Sequence, residues 1–474
     1  MTARVDRLGP GDLMTLWAEA PATPMHIALA GLLDPEPVLD EHGRLRLDEL
    51  RTAIEARLGR APELRRRIRW TRIGQGRPAV VDDHRFTIGR HVTAVPLEGC
   101  NEAGFWTWCA NQALEPMDRR HPLWRVTFAT GLTSGRVGVL VVMHHALADG
   151  IAGSALAARL LDPDPDEVVV SRPWRPLPPP GPLALTADAA ITRMAAVAAG
   201  LRRLPGARSA LGKAARDAAA TRDAVAQLAP VTSLQRPIGP ARRLAVIRRP
   251  LQEVKDAGRA QGATVNDVLL AAVASGLHRL LAGRGDQVEG LELRVSVPVG
   301  APGGARNAGG STPMVLPQPI GDLGHVDRLA RIAATTRAAK TGRDRGYRGL
   351  LASPLLPTTL LRLAVRWLAR HGGSRVNLYV TNVPGPPVPL WLHGARLQAA
   401  VPIAPLVAGV PVAVAALSYT GELALSIQVD GAVDDLEVLA AGVTEGLDQL
   451  IRLGSSRRRR GQVMTAAAPL HVVT

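Results

Sequence analysis

Aromatic residues make up only 3% of this 474-residue chain, with three Tyr and three Phe among them. A nucleic-acid binder concentrates its basic charge and interleaves it with aromatic platforms, so that role is set aside despite a formal charge of +16. Lysine is nearly missing as well: Lys213, Lys255 and Lys340 stand alone, and arginine supplies the rest of the 57 basic residues, spread along the whole length. Charge of that kind suits a membrane surface or an acidic ligand. Two cysteines, Cys100 and Cys109, cannot build a disulfide framework or a four-cysteine zinc site, and they fit a reducing, cytoplasmic setting. Export is not expected, because Asp6, Asp12 and Glu19 precede the first apolar stretch, Met25 to Leu33. No membrane-spanning helix is expected either: the longest uncharged run, Leu397 to Gly421, is cut into strand lengths by Pro402, Pro405 and Pro411.

What is present is apolar: 46% hydrophobic residues, enough to bury a core and, at this length, two of them. The division falls at residues 1–165, a connector over 166–240, a second unit over 241–453 and a disordered basic tail over 454–474. Acidic Asp162, Asp164 and Asp166 close the first unit, and Pro173, Pro176, Pro178, Pro179 and Pro180 open a stiff connector that turns Ala-rich and helical from Leu183. Strand and helix patterns alternate in both units, which gives an α/β class. Val137–Met143 reads as a buried strand and Ile151–Leu161 as a helix. Thr264 caps a helix from Val265, Leu291–Val299 reads as a strand, and Thr420-Gly421 joins two strands as a hairpin.

The densest group of reactive side chains is His144-His145-Ala146-Leu147-Ala148-Asp149-Gly150, where a strand stops and a helix starts. A neutral imidazole accepts a hydroxyl or amine proton near neutral pH, chemistry that suits acyl transfer. The plainer reading has Asp149 as helix cap, Gly150 as turn residue and both histidines as packed neighbours. A metal site is not expected, since His145 and Asp149 lack a nearby third ligand. No Gly-x-Ser-x-Gly elbow exists, and nothing near Cys100 or Cys109 would activate a thiolate. Asn266 and Asp267 open a helix, where Asn266 could aim an amide into a cleft. A basic amphipathic helix over Thr359–Arg370 carries Arg362, Arg366 and Arg370 on one stripe, either packed on the core or laid on an anionic lipid interface; Ala189–Leu204 poses the same choice.

Several segments together resemble the bacterial wax ester synthase/diacylglycerol O-acyltransferase family, within the CoA-dependent acyltransferase superfamily of chloramphenicol acetyltransferase and peptide-synthetase condensation domains. His144-His145-Ala-Leu-Ala-Asp149-Gly150 is similar to the superfamily His-His-x-x-x-Asp-Gly signature. Gly11-Asp12 with Trp17, Pro24-Met25-His26, Pro122-Leu123-Trp124, Asn266-Asp267, Ser296-Val297-Pro298-Val299 and Asn382-Val383-Pro384-Gly385-Pro386 resemble further family blocks, in order. Gly394–Asp430 resembles the closing hairpin. Arg306-Asn307 departs from the family's Gly-Asn after a Gly-rich loop.

The resemblance implies two chloramphenicol-acetyltransferase-like subdomains, each a mixed sheet flanked by helices, with a tunnel between them. It implies acyl-CoA as co-substrate without a cofactor, a diacylglycerol or long-chain alcohol as acceptor, and peripheral residence on the inner membrane face or lipid droplets. His145 is expected as general base, His144 as structural or assisting, Asp149 as the residue that shapes the motif, and Arg294 as its ion-pair partner. Asn266 or a backbone amide near Gly150 is expected as oxyanion donor. Two competing expectations are a condensation-type catalyst fed by carrier-protein thioesters and a lipid-binding protein of the same fold without activity.

Overall fold

The computed structural model describes residues 5–466 apart from residues 149, 168, 170–172, 203–226, 300–311, 342–361, 364 and 368–374. In chain order the first lobe starts with α1 (Pro10–Ala18), β1 (His26–Leu33), α2 (Leu47–Arg57) and a small ribbon of β2 (Arg66–Arg69) and β3 (Ala79–Asp82). It continues through β4 (Val92–Cys100), α3 (Glu102–Gln112), β5 (Trp124–Leu132), β6 (Val137–His144) and α4 (Gly150–Ala158). Helix α5 (Pro182–Arg202) follows the Pro-rich connector. The second lobe has β7 (Arg242–Pro250), α6 (Leu251–Arg259), α7 (Val265–Gly283), β8 (Glu292–Val299), β9 (Thr312–Pro319), α8 (His325–Thr341) and β10 (Leu378–Pro384). Then come β11 (Trp391–Leu392), β12 (Ala395–Ile403), β13 (Val412–Tyr419), β14 (Glu422–Asp430) and α9 (Leu436–Ala466).

Two six-stranded mixed sheets result, ordered β11-β12-β1-β6-β5-β4 and β7-β14-β13-β10-β8-β9. In the first only β4 and β5 run parallel; in the second β10 is parallel to both β13 and β8. Apolar faces decide the layers. Phe105, Trp106 and Cys109 of α3 cover one face of the first sheet, while Leu50 and Ile54 of α2 and Leu156, Ala157 and Leu160 beyond the start of α4 cover the other. Helices α7, α8 and α9 close the second core. Thr264 caps α7 as the sequence predicts, its hydroxyl accepting from the Asp267 N–H while the Asp267 carboxylate accepts from the Thr264 N–H at 2.8 Å. The β13–β14 hairpin also forms as expected, with Thr420 and Gly421 both at positive φ (46° and 84°), the pairing a two-residue turn of matching twist requires.

Two features differ from the sequence reading. Strands β11 and β12 lie within the stretch that resembles the closing hairpin, yet they leave the second sheet after β10 and pair with β1 of the first, Ala28 opposite Ile403 and Leu33 opposite Leu397. The chain then returns as β13. Helix α9 runs on to Ala466, past the boundary expected at residue 453; Gly454 lies within it and faces α6, where a Cβ would lie 2.6 Å from Ala257 Cα, so the missing side chain permits close helix approach.

The crossing strands are held by a few buried bonds. Asp162 and Trp391 exchange backbone hydrogen bonds at 2.8 and 2.9 Å. Tyr419 donates its hydroxyl proton to Leu397 O at 2.9 Å and accepts from Leu390 N–H at 2.8 Å, both partners being buried. A second seam joins the lobes at α3 and β7, where the Asn111 side chain accepts from Arg242 N–H and donates to Arg242 O, each at 2.9 Å, and Glu102 pairs with Arg248. Replacing Tyr419 by Phe leaves one buried N–H and one buried carbonyl without partners, which lowers stability by about 2 kcal/mol; thermal unfolding of Tyr419→Phe beside the parent protein measures the loss.

Candidate active site

Strand β6 is apolar through Met143 and ends at His144, which sits opposite His26 of β1, with Met143 opposite Ile27. Past that point the chain turns, closed by Leu147 N–H donating to His144 O at 2.8 Å. Flanking segments hold the turn. His144 N–H donates to Leu123 O at 2.9 Å, and His145 N–H donates to Met25 O at 2.7 Å. The blocks Pro24-Met25-His26 and Pro122-Leu123-Trp124, far apart in sequence, therefore grip the two histidines directly.

The two histidines differ in burial because the strand ends between them: His144, its last residue, is only 1% exposed, and His145, in the turn, is half-buried. Nδ1 of His144 accepts from Ala146 N–H at 2.9 Å. A backbone N–H can only donate, so in the neutral ring the proton sits on Nε2. That nitrogen lies 3.3 Å from Glu19 Oε1, at an angle too bent for a regular hydrogen bond. Glu19 also pairs with Arg119 and accepts from Met25 N–H at 3.3 Å. Burial opposes its ionisation, but His144 and Arg119 outweigh burial and hold the carboxyl down at about 2.

His26 completes the group. Its Nδ1 donates to Ala113 O at 2.8 Å, its Nε2 is 3.6 Å from the same Glu19 oxygen, and burial brings its pKa down to about 4. Glu19, His26 and His144 have the residue types and closeness of a cation site. The tautomers do not fit one: His144 turns a proton, not a lone pair, toward the centre, and Arg119 occupies the carboxylate. The trio is a hydrogen-bonded and ion-paired support beneath the turn.

Behind the turn an apolar cavity lies between α4 and strands of both sheets, its wall including Met143, Gly150, Gly153, Ser154, Val383 and Leu417. His145 is not among its lining residues, although Met143 and Gly150 on either side of it are. A Cβ on Gly150 would come within 3.6 Å of Val383 Cγ2, so the His-His motif and the Asn382-Val383-Pro384-Gly385 block meet here across the lobes. A second apolar cavity shares Leu29, Val141 and Ala157 with the first and reaches Ile54 and Leu392.

The other expected residues are placed less centrally. Asp149 lies outside the described residues, as does Arg306-Asn307. Asn266 is half-buried in the first turn of α7, whose main packing partners are α9, α8 and α6 in the second lobe. Arg294 donates to Arg375 O at 2.9 Å and to Gln227 Oε1 at 2.8 Å, the latter at the end of the connector. Nothing local in the sequence marks Glu19, Arg119 or the ring of His26 as site residues, because Glu19 and Arg119 pair across 100 residues and His26 reaches Ala113 across 87.

The group has a pH signature. His26 has a folded pKa below its ordinary value, so the unfolded chain binds a proton first and stability falls as pH drops from about 6.5 toward 4; the lowered Glu19 carboxyl removes more between about 4.5 and 2. A melting-temperature series against pH shows this acid limb, and in His26→Gln the portion between pH 6.5 and 4 flattens.

Comparison with known proteins agrees on one family. Residues 8–269 match the model of the wax ester synthase/diacylglycerol acyltransferase catalytic domain, and residues 311–451 match the WS/DGAT C-terminal domain. A Mycobacterium tuberculosis protein named probable diacylglycerol O-acyltransferase is 31% identical over 468 residues, covering 91% of this chain and 97% of its own length. The wax ester synthase/diacylglycerol acyltransferase of Marinobacter aquaeolei shares the fold at a TM-score of 0.65 and 23% identity, over 95% of this chain and all of that one. The first condensation domain of the calcium-dependent antibiotic synthetase shares it at a TM-score of 0.57 and 17% identity, over 95% and 97% of the two chains. With both lobes matched in order and the motif turn seated between them, the chain belongs to the wax ester synthase/diacylglycerol acyltransferase family.

Proposed function

We propose that this protein moves a long-chain acyl group from acyl-CoA to the hydroxyl of a diacylglycerol or a long-chain alcohol, with His145 as general base. One observation carries the reading: three separate sequence blocks converge on the turn that holds His145, beside an apolar cavity built by both lobes. An alcohol is almost wholly protonated at neutral pH, so a positioned imidazole that takes its proton as the oxygen attacks is worth about 10²- to 10⁴-fold. The new bond joins acceptor oxygen to the thioester carbonyl carbon, the carbon–sulfur bond breaks, and the proton returns from His145 to the departing CoA thiolate. No acyl-enzyme and no cofactor enter this scheme. Asp149 is assigned to shape the motif, and a backbone amide near Gly150 or the Asn266 amide to meet the developing oxyanion. The cavity wall suits a lipid chain, being apolar from Leu29 and Val141 to Leu417.

Peripheral lipid contact belongs to the same reading. Helix α5 packs Leu185 on Ala79 and Val81 of the first lobe and buries Ala189 near Gly76, but leaves Leu183, Ile191, Met194, Val197 and Leu201 exposed. Around residues 362–367, Val365 is buried in the same apolar cluster as Trp17 and Ala146, while Leu363, Trp367 and Arg366 face outward. A surface docked at Leu363 and Trp367 would sit beside the histidine turn, where an insoluble acceptor must arrive.

Given palmitoyl-CoA with dioleoylglycerol or hexadecanol, the purified protein releases free CoA, and His145→Ala loses at least about a hundredfold in rate. A thiol-release assay checks both, and an unchanged rate in the variant removes the base. Release from carrier-protein thioesters alone would transfer the assignment to condensation chemistry. Reversing Arg362, Arg366 and Arg370 to Glu weakens binding to anionic vesicles at least about tenfold, as sedimentation would show.

A further inference from the structure

We propose that Glu19 is a positioning residue for His145, acting through His144 and Met25; the inference rests on the acyltransfer reading above. Glu19 caps the C-terminal end of α1, where the helix dipole disfavours a negative charge. Its contacts account for a carboxylate there. Oε1 accepts from Met25 N–H at 3.3 Å, and Met25 O in turn accepts from His145 N–H at 2.7 Å. The same oxygen lies 3.3 Å from His144 Nε2, and His144 Nδ1 accepts from Ala146 N–H at 2.9 Å. One carboxylate thus reaches both sides of His145: the segment just before β1 that holds its N–H, and the ring that holds the N–H of the next residue. Arg119 fixes the second oxygen.

The arrangement locks more than packing would. His144 faces a backbone donor at one nitrogen and a carboxylate at the other, so ring flip and tautomer exchange both cost a bond or bring like poles together. With the ring fixed, Ala146 is fixed, and the turn holds His145 at one height above the strand end. A displacement of about 1 Å at a reacting group can cost about a hundredfold in rate, so the support is expected to act on turnover rather than on binding. The cavity walls that would hold the acyl chain do not include Glu19.

The test combines kinetics with a signal that needs no turnover. In Glu19→Ala, kcat falls about ten- to a hundredfold while KM for palmitoyl-CoA stays within about twofold. Glu19→Gln keeps the shape but sets an amide against Arg119, and it loses about three- to tenfold. In a His144→Gln background either change adds less than it costs alone, because the route through His144 is already broken and only that through Met25 remains. Nitrogen-15 NMR of ring-labelled histidine places the His144 proton on Nε2 in the parent protein and on a mixture of sites in Glu19→Ala. A folded Glu19→Ala with parental kcat, losses that add fully to those of His144→Gln, or a His144 proton on Nδ1 overturns the proposal. Should Glu19→Ala fail to fold, Glu19→Gln decides by the same split, and parental kcat there counts against it. If the parent protein releases no thiol with any lipid acceptor, the acyltransfer reading fails, while the tautomer still decides the Glu19–His144 link.

Discussion

The site depends on where one strand stops. Strand β6 is paired along its whole length with β1, and the pairing ends at His26 and His144; the next residue has no ladder partner and is taken instead by Met25 O. That switch from ladder to turn puts two adjacent imidazoles in different surroundings, one buried among carboxylate and backbone partners and one half-buried at the edge of the interlobe space. A shift of one residue in register would exchange them, and burial of the β1 and β6 faces resists such a shift.

The lobes are not independent beads. Strands β11 and β12 come from the second half of the chain but extend the first sheet, and Val383, Leu390, Leu417 and Tyr419 belong to a core cluster centred on the first lobe. The cavity wall consequently mixes Met143 and Gly150 with Val383 and Leu417. A space built in this way keeps its shape only if the crossing is kept, which is why a buried hydroxyl at Tyr419, remote from the histidines, bears on their surroundings.

Local chemistry was legible from the sequence and distant pairing was not. The Thr420-Gly421 turn and the Thr264 cap rest on neighbours within a few residues, and both are found; β6 ends one residue later than read, at His144. The crossing of β11 and β12 depends on which edge strand is free, and nothing in Trp391–Ile403 itself encodes that choice. Glu19 drew notice merely as an acid before an apolar stretch; its role needs Arg119 and His144, which only the folded sheet brings near.

The most direct test is a crystal structure with a non-hydrolysable thioether analogue of palmitoyl-CoA. The account places the thioether sulfur within about 4 Å of a His145 ring nitrogen, near-attack range for the reacting groups, with the acyl chain running into the space between α4 and β10. A chain bound elsewhere, or a His145 ring turned away from the sulfur with other groups between them, would contradict it.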